Sequence, residues 1–270
     1  MSIMTKELAR NIEQVDIDYT ISRLGSMQAA EGNPLQIEIR QFGDTTAFLI
    51  QAWPDFWYGN RVLGLGPSDE GQLEAIVNFF DEQRLPFRFE IIPGQMSWPL
   101  ATRLHQLGFC QGSFSAALYG SPQPHPVHPA PAVSVHKVQP DELDLFLDLY
   151  QDGFGLERLS SRDKEIVRLW PALEQAHLHF YIATVNDTPA GIAVFYVKDR
   201  FGLLADAATL PGFRGYGCQT TLIHQRILQA AQQNCDLLVS FVEFGATSHK
   251  NLERAGLRIA YTKAMWWKVE

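Results

Sequence analysis

The sequence predicts two α/β domains in tandem, each with a mixed central sheet flanked by helices. The chain has 270 residues, and a domain commonly has about 100–200. A proline-rich segment interrupts it at 121–132, and strand-like and helix-like patterns recur in a similar order on both sides. Such recurrence is typical of an internal duplication. We therefore expect a first domain over 1–120, a linker over 121–132 and a second domain over 133–270.

Composition and charge limit the class of protein. Hydrophobic residues make up 46% of the chain and charged residues 19%, which is ordinary for a globular protein with a buried core. A net charge of −8 argues against nucleic acid or an anionic membrane as a partner. The sequence lacks a secretory signal and any apolar run near the length of about 20 residues that spans a bilayer. We therefore expect a cytoplasmic protein.

The cysteines and histidines do not form a metal-binding pattern. Cys110, Cys218 and Cys235 are odd in number and widely spaced, which fits neither a disulfide framework nor a zinc site. His177 and His179 alternate along a predicted strand without further ligands. We expect no bound metal.

The first domain begins with a predicted helix, because Leu8, Ile12 and Val15 recur at spacings of four and three. Apolar runs and turn residues then predict alternating strands and helices. Strands are predicted at Leu35–Arg40, Ala47–Gln51, Val62–Leu65, Phe87–Ile92 and Phe109–Tyr119, and helices from Ser68 through Phe80 and at Trp98–Leu107.

The segment at 121–132 is predicted to be a semi-rigid linker. Five prolines between Pro122 and Pro131 fix φ and favour extended neighbours, as in a polyproline II segment. We interpret His125 and His128 in this segment as solvated side chains rather than metal ligands.

The second domain has the more regular pattern. Pro140 begins a helix in which Leu143, Phe146 and Tyr150 share a face. The remaining helices are predicted at Ser161–Ala176, Gln219–Ala231 and Thr247–Ala255. Strands are predicted at Val133–Val138, Phe180–Val185, Gly191–Lys198, Leu203–Leu210 and Asp236–Val242, with one or two closing strands over Leu257–Val269.

The turn between the strand ending at Leu210 and the helix beginning at Gln219 is suited to binding an anion. It contains Arg214, Gly215 and Gly217. The first N–H groups of a helix have no intrahelical partner and carry partial positive charge, and glycines let a pyrophosphate approach them. The patterns of a P-loop and of a Rossmann dinucleotide site are absent.

These residues resemble the coenzyme signature of the GCN5-related N-acetyltransferase (GNAT) family, [RQ]-x-x-G-x-[GA] after a strand. Thr209-Leu-Pro211 followed by Arg214-Gly-Tyr-Gly217 is a close match. Gln219 departs from the final Gly or Ala, but Gln219-Thr-Thr-Leu222 is similar to tandem-domain members. Ser248–Leu257 and Tyr261–Lys268 resemble the end of the family fold. The resemblance covers 133–270 well and 35–120 faintly.

The resemblance implies direct transfer of an acetyl group from acetyl-CoA to an amine. The coenzyme would lie where the strands Leu203–Leu210 and Asp236–Val242 splay. Backbone groups of Ala207–Thr209 would bind the pantetheine, and N–H groups of Gly215–Thr220 the pyrophosphate. The residues expected at the coenzyme are Ala207, Ala208, Thr209, Arg214, Gly215, Tyr216, Gly217, Cys218, Gln219, Thr220, Ser248 and Asn251.

Some of these residues have alternative interpretations. Cys218 is better interpreted as a packed side chain than as a nucleophile, because direct transfer needs no thiol. Tyr216 lies either against the coenzyme or simply at the surface. Ser248 and Asn251 either bind pantetheine or cap the last helix.

The acid and the base of the reaction are less well marked. Many family members have a tyrosine that protonates the leaving thiolate, and Leu252 occupies that place. Water or Tyr261 could substitute. Asp206 and Glu243 lie on the two strands expected to splay and are the candidate bases, although either could be an ordinary structural carboxylate.

The first domain is expected to be a degenerate copy without a coenzyme. Its equivalent turn contains Pro67, Asp69 and Glu70, which remove one N–H and would repel a phosphate. The nearby aromatic residues could pack internally or form an apolar acceptor pocket. They are Trp53, Phe56, Trp57 and Tyr58.

The acceptor remains open among a small amine, an amino acid, an antibiotic and a protein lysine. We expect a small molecule, and a homodimer is a further expectation. The alternative function is a catalytically silent acyl-CoA-binding or regulatory module, which the missing tyrosine favours.

Overall fold

The computed structural model describes residues 3–54, 56, 59–123, 130–172 and 177–269. Trp57, Tyr58, His125 and His128 lie outside the described residues, as do the end of the helix predicted at Ser161–Ala176 and the middle of the linker.

Helices and strands follow one another along the described residues. The helices are α1 (Lys6–Gln28), α2 (Leu73–Asp81), α3 (Trp98–Gln106), α4 (Leu143–Phe154), α5 (Ser161–Val167), α6 (Leu169–Ala172), α7 (Cys218–Gln232) and α8 (Thr247–Arg254). The strands are β1 (Ile37–Phe42), β2 (Thr45–Ile50), β3 (Arg61–Leu63), β4 (Arg88–Ile91), β5 (Phe109–Gly120), β6 (Val133–Lys137), β7 (Leu178–Val185), β8 (Thr188–Lys198), β9 (Phe201–Thr209), β10 (Leu237–Glu243) and β11 (Arg258–Lys268). Short 3₁₀ helices precede α2, α4 and α7.

The elements follow the predicted order with one correction. The end of the chain forms the single strand β11, which is one of the two alternatives predicted there. The helix predicted from Ser161 is broken at Arg168, because Pro171 lacks the N–H that a continuous helix would donate to the carbonyl of Val167.

The chain forms two compact units. The N-terminal unit comprises Ser2–Ala116 and Ala260–Glu270, and the C-terminal unit comprises Ala117–Ile259. These units depart from the predicted boundaries, because most of β11 belongs to the N-terminal unit and the end of β5 to the C-terminal one. The interpretation of 1–120 and 133–270 as two copies of one domain stays a prediction.

The N-terminal unit has a mixed sheet in the order β1-β2-β3-β4-β11-β5. The β1–β2 and β2–β3 pairs are antiparallel and the β3–β4 pair is parallel. One face packs against α2 and α3 around Val62, Phe80 and Phe89. The other face lies under α1 and contains buried charges, since Arg61 and Lys263 both pair with Asp16.

The C-terminal unit has a mixed sheet in the order β5-β10-β9-β8-β7-β6. The β7–β8 and β8–β9 pairs are antiparallel, whereas β9 and β10 are parallel. Alternate residues of β7 face opposite sides: Phe180 packs against Phe146 of α4, and the hydroxyl of Tyr181 donates to Gln229 of α7. The α/β fold with a mixed sheet flanked by helices is therefore confirmed.

No helix in the described parts of the chain is long and apolar enough to cross a membrane.

Candidate functional site

The parallel strands β9 and β10 pair for only part of their length. Their backbone pairing joins Phe201–Leu203 to Leu237–Val239, although the strands continue to Thr209 and Glu243. Just past the last pair, the hydroxyl of Ser240 donates to the carbonyl of Leu204 at 2.8 Å. Beyond that bond the two strands splay, with no further pairing between them in the described residues, while Ala207–Thr209 still pair with β8.

A bulge in β9 accompanies this splay. The register with β8 shifts between Ala193 and Phe195, which face Ala207 and Leu204 respectively. Two residues of β9 therefore oppose one residue of β8, which bends a strand and re-aims its side chains. The bulge lies at Ala205 and Asp206, directly before Ala207–Thr209. It therefore sets the direction in which these three residues leave the part of β9 that pairs with β10.

The end of α4 packs directly on this part of β9. A Cβ atom at Gly153 would lie 2.6 Å from the Cβ of Ala208, so only glycine permits this approach. Across the sheet, a Cβ at Gly191 of β8 would lie 2.6 Å from the carbonyl oxygen of Ala208. The segment Ala207–Thr209 is therefore held closely from two sides.

The turn after β9 has the backbone geometry of an anion site. Gly215 and Gly217 have φ values of +87° and +94°, in the left-handed region that favours glycine. Gly217 is the N-cap of α7 and provides no side-chain cap. The regular helical hydrogen bonds of α7 begin at Thr221, whose amide donates to the carbonyl of Gly217 at 3.0 Å.

Several amides of this turn are unpaired. Within the described residues, the N–H groups of Gly215–Gly217, Gln219 and Thr220 have no protein acceptor. The helix macrodipole adds partial positive charge at the same place. Arg214 is exposed and has no carboxylate partner in the described part of the chain. A phosphate bound here would meet several donors and no nearby acid on the turn.

The two side chains flanking Gly217 differ in exposure. Tyr216 is 54% exposed, with its ring 6.3 Å from that of Phe213. The thiol of Cys218 is buried, and burial raises its pKa. A buried, protonated thiol is a poor nucleophile, in agreement with the interpretation of Cys218 as a packed side chain.

A groove between α7 and α8 continues from the turn. Its floor is apolar, with Ile223 and Ile227, and its rim carries Thr220, Asn251 and Arg254. Asn251 accepts a hydrogen bond from Arg254 at 3.0 Å. Ala246, not Ser248 or Asn251, is the N-cap of α8, and no side chain caps it. The capping alternative for Ser248 and Asn251 is therefore wrong.

The candidate acid–base residues lie on three different strands. Asp206 lies on β9 and Glu243 at the end of β10, both beyond the last paired residues of the splay. Tyr261 lies on β11 in the N-terminal unit, 8% exposed, where its hydroxyl donates to the carbonyl of Ala9 at 3.4 Å. Burial raises its pKa well above its usual value. The interpretation of Tyr261 as a substitute acid stays a prediction.

Sequence reasoning passed over His249. This residue is buried one turn before Leu252 on α8, and its Nδ1 accepts the amide of Gly245 at 2.8 Å. Its Nε2 lies 3.7 Å from a carboxylate oxygen of Glu253. His249 lies three residues before Leu252, so both are on one face of the helix. This spacing could have identified His249 as a neighbour of the position that the family's tyrosine occupies. The contacts describe an imidazole that ties the β10–α8 loop to the helix.

His177 and His179 have different surroundings. His177 is exposed, and His179 Nε2 lies 2.7 Å from the side-chain nitrogen of Gln233. Burial lowers the pKa of His179. Within the described ranges, no group of three His, Cys, Asp or Glu side chains could hold a metal ion.

In the N-terminal unit, the turn before α2 is filled by the side chain of Asp69. The carboxylate of Asp69 accepts hydrogen bonds from the amide of Asp44 at 3.0 Å and the hydroxyl of Thr45 at 2.8 Å. A 3₁₀ helix over Pro67–Gln72 separates β3 from α2. An acid therefore ties this turn to the β1–β2 hairpin.

Together, the splayed parallel strands, the bulge and the glycine turn define the class of fold found in N-acyltransferases that use acyl-CoA. Residues 143–256 match the family model described as "Acetyltransferase (GNAT) family". The match covers less than half of the chain and identifies a GNAT-type domain within the C-terminal unit. No curated protein matches the chain.

Solved structures share the fold over most of the chain. A GCN5-related N-acetyltransferase from Kribbella flavida has a TM-score of 0.65 at 18% identity, covering 92% of this chain and 95% of that one. A tandem GNAT protein from the clavulanic acid biosynthesis pathway has a TM-score of 0.59 at 15% identity, covering 94% and 95%. A GCN5-related N-acetyltransferase from Sphaerobacter thermophilus has a TM-score of 0.58 at 13% identity, covering 83% and 80%. At these identities the likeness concerns the fold.

Proposed function

We propose that the C-terminal unit transfers an acetyl group from acetyl-CoA to an amine acceptor, and that the N-terminal unit is a degenerate copy without a coenzyme. The observation that carries this proposal is the set of unpaired amides at Gly215–Gly217, Gln219 and Thr220, beside the splay of β9 and β10. The amides bind the pyrophosphate, Arg214 adds a charged contact, and the backbone of Ala207–Thr209 pairs with the pantetheine amides.

The remaining contacts follow the path of the coenzyme. Tyr216, Gln219 and Thr220 flank the phosphates on the exposed side of the turn, while Cys218 packs beneath them. Asn251 borders the groove from α8, and Ser248 lies one turn before it on the same helix, so both are proposed to contact the coenzyme.

In the proposed reaction, the amine nitrogen attacks the thioester carbonyl carbon, the carbon–sulfur bond breaks, and coenzyme A leaves as a thiolate. Asp206 or Glu243 takes a proton from the nitrogen, and water protonates the thiolate. Holding the amine and the thioester together supplies up to roughly 7–11 kcal/mol, so the reaction proceeds without the tyrosine that Leu252 replaces.

A carboxylate placed among the free amides tests the coenzyme site. Gly215→Asp is suitable because a Cβ at Gly215 meets no atom within 4 Å. Repulsion between the new carboxylate and the pyrophosphate should weaken acetyl-CoA binding by about 100-fold or more, measured by calorimetry. Gly108→Asp is the matched control, since Gly108 has a φ of +86° and equally open space. Unchanged affinity in Gly215→Asp would place the pyrophosphate elsewhere.

The candidate bases predict a smaller kinetic effect. Asp206→Asn and Glu243→Gln should both leave acetyl-CoA affinity unchanged, and at least one should slow transfer about tenfold or more. Tyr261→Phe should leave the rate unchanged, because water protonates the thiolate in the proposed reaction. Thiol release over a panel of amines is the measurement. If neither carboxyl variant slows transfer, solvent or another residue is the base.

The alternative is a silent acyl-CoA-binding or regulatory module, favoured by the buried Leu252 at the place of the family's acid. Tight binding of acetyl-CoA with no thiol release for any amine in a broad panel would favour this alternative.

A further inference from the structure

Arg226 is a buried cation that none of the proposed coenzyme contacts uses. It lies on α7, two turns after the glycine turn, and is 1% exposed. Its guanidinium donates to the carbonyl of Leu222 at 3.1 Å, of Val194 at 3.3 Å and of Ala205 at 3.1 Å. One side chain therefore joins α7 to both β8 and β9.

The two strand carbonyls lie at the bulge. Val194 is the single residue of β8 that lies opposite the bulge, and Ala205 is one of the two β9 residues, with Asp206, that form it. Regular ladder pairing is interrupted at this point, so both carbonyls would be buried without a backbone donor. A single nitrogen of Arg226 donates to both of them.

A buried arginine is a costly way to satisfy two carbonyls. Burial lowers the pKa of Arg226 to about 10, while Tyr181 and Asp206 act in the opposite direction. The group remains charged at neutral pH, and its planar fork holds several acceptors in fixed directions, which an apolar side chain or a lysine does not. The influence of Asp206 also indicates that the candidate base lies near this charge.

We propose that Arg226 is a positioning residue: by donating to Val194 and Ala205, it fixes the bulge of β9 relative to α7. The bulge sets the direction of Ala207–Thr209, and α7 carries the free amides at its start. Arg226 thereby keeps the pantetheine-binding and pyrophosphate-binding parts of the site in register. This inference rests on the proposed function.

Arg226→Met removes the donors while keeping most of the buried volume, and Arg226→Lys keeps the charge without the fork. Gln229→Leu is the matched control, because Gln229 is a buried polar side chain on the same helix whose only described partner is Tyr181. The measurements are acetyl-CoA affinity by calorimetry, transfer kinetics, thermal stability, and hydrogen exchange of the 205–209 amides in the free protein.

For Arg226→Met, faster exchange at 205–209, at least about tenfold weaker acetyl-CoA binding and a fall in kcat/KM of about 100-fold are expected, since small displacements are costly in an oriented site. Arg226→Lys should give an intermediate effect. Gln229→Leu should lose stability yet bind acetyl-CoA within about twofold of the wild type.

Unchanged exchange at 205–209 and unchanged affinity in Arg226→Met would overturn the inference, as would an equal loss of affinity in Gln229→Leu. If Arg226→Met does not fold, the comparison of Arg226→Lys with Gln229→Leu decides. If the wild type binds no acetyl-CoA, the proposed function fails, and exchange at 205–209 alone decides whether Arg226 fixes the bulge.

Discussion

The turns that lead into α7 and α2 have similar surroundings and opposite chemistry. Each follows a strand that pairs antiparallel with the strand before it and parallel with the strand after it. The turn before α7 is rich in glycine and leaves its amides unpaired. The turn before α2 contains Pro67 and a buried acid, Asp69.

The sheets of the two units also differ in how their polar groups are paired. In the N-terminal unit, Arg61, Lys263 and Asp16 are buried under α1 with Glu90 and Arg88. In the C-terminal unit, the pairing of β9 and β10 stops at Leu203 and Val239. Under the proposed function, the coenzyme site depends on unpaired backbone donors, and the side chains of the N-terminal turn occupy or repel what a ligand would meet there.

The largest effect is expected from breaking the buried ion network of the N-terminal unit. Lys263 donates to Asp16 at 2.6 Å and lies 3.4 Å from Glu90. Removing one partner of a buried pair costs about 3–5 kcal/mol, so Lys263→Met should reduce the free energy of unfolding by that amount in urea titration. Lys268→Met, which removes an exposed pair with Asp81, should cost only about 0–1 kcal/mol. Equal losses would show that the network is no more important than a surface pair.

An intermediate effect is expected from pH, through Glu13. Burial raises its pKa from 4.5 to about 7, with Asp16 and Glu90 adding to the rise and Lys263 and the amide of Gly64 opposing it. The unfolded carboxyl ionises first, so this group's contribution to stability is full below pH 4.5 and is lost as pH rises to about 7.

The loss should amount to about 3 kcal/mol, since one pKa unit corresponds to about 1.4 kcal/mol. Glu13→Gln should flatten the change in unfolding free energy between pH 5 and 8, while Glu7→Gln in the exposed first turn of α1 should not. A wild type whose stability is flat over that range would show that Glu13 is not protonated in the fold.

The smallest effect is expected at the closed turn. Asp69→Asn should reduce stability by about 1–3 kcal/mol, because the amide of Asp44 and the hydroxyl of Thr45 lose a charged acceptor. It should not create a second coenzyme site, since Pro67 and the 3₁₀ helix remain. Calorimetry should still give one acetyl-CoA per chain, with Glu70→Gln as the control. Two sites in Asp69→Asn would mean that charge alone closes the turn.

Local patterns in the sequence predicted the elements and the glycine turn, because both depend on neighbouring residues. Leu143, Phe146 and Tyr150 marked the buried face of α4, and Arg214 to Gly217 marked the turn. The position of Tyr261 could not be predicted in this way, since its unit is set by long-range strand pairing.

The role of Asp69 was only partly predictable. Its charge indicated that the turn would repel phosphate, but its bonds to Asp44 and Thr45 depend on a hairpin 24 and 25 residues away. Arg226 left a local signal that was missed: it lies four residues from both Leu222 and Ala230, on the apolar stripe of α7.

The route of β11 has a consequence for synthesis on the ribosome. Lys263, the cation that compensates Asp16, lies 247 positions after it in the sequence. Trp266, which packs against the core of the N-terminal unit, is also on β11, so that core is incomplete until β11 has been synthesised. Domains usually fold as they emerge, with the N-terminal one first. In this protein the N-terminal unit lacks a central strand until the residues after Ile259 have been synthesised, so the C-terminal unit has the opportunity to fold before it.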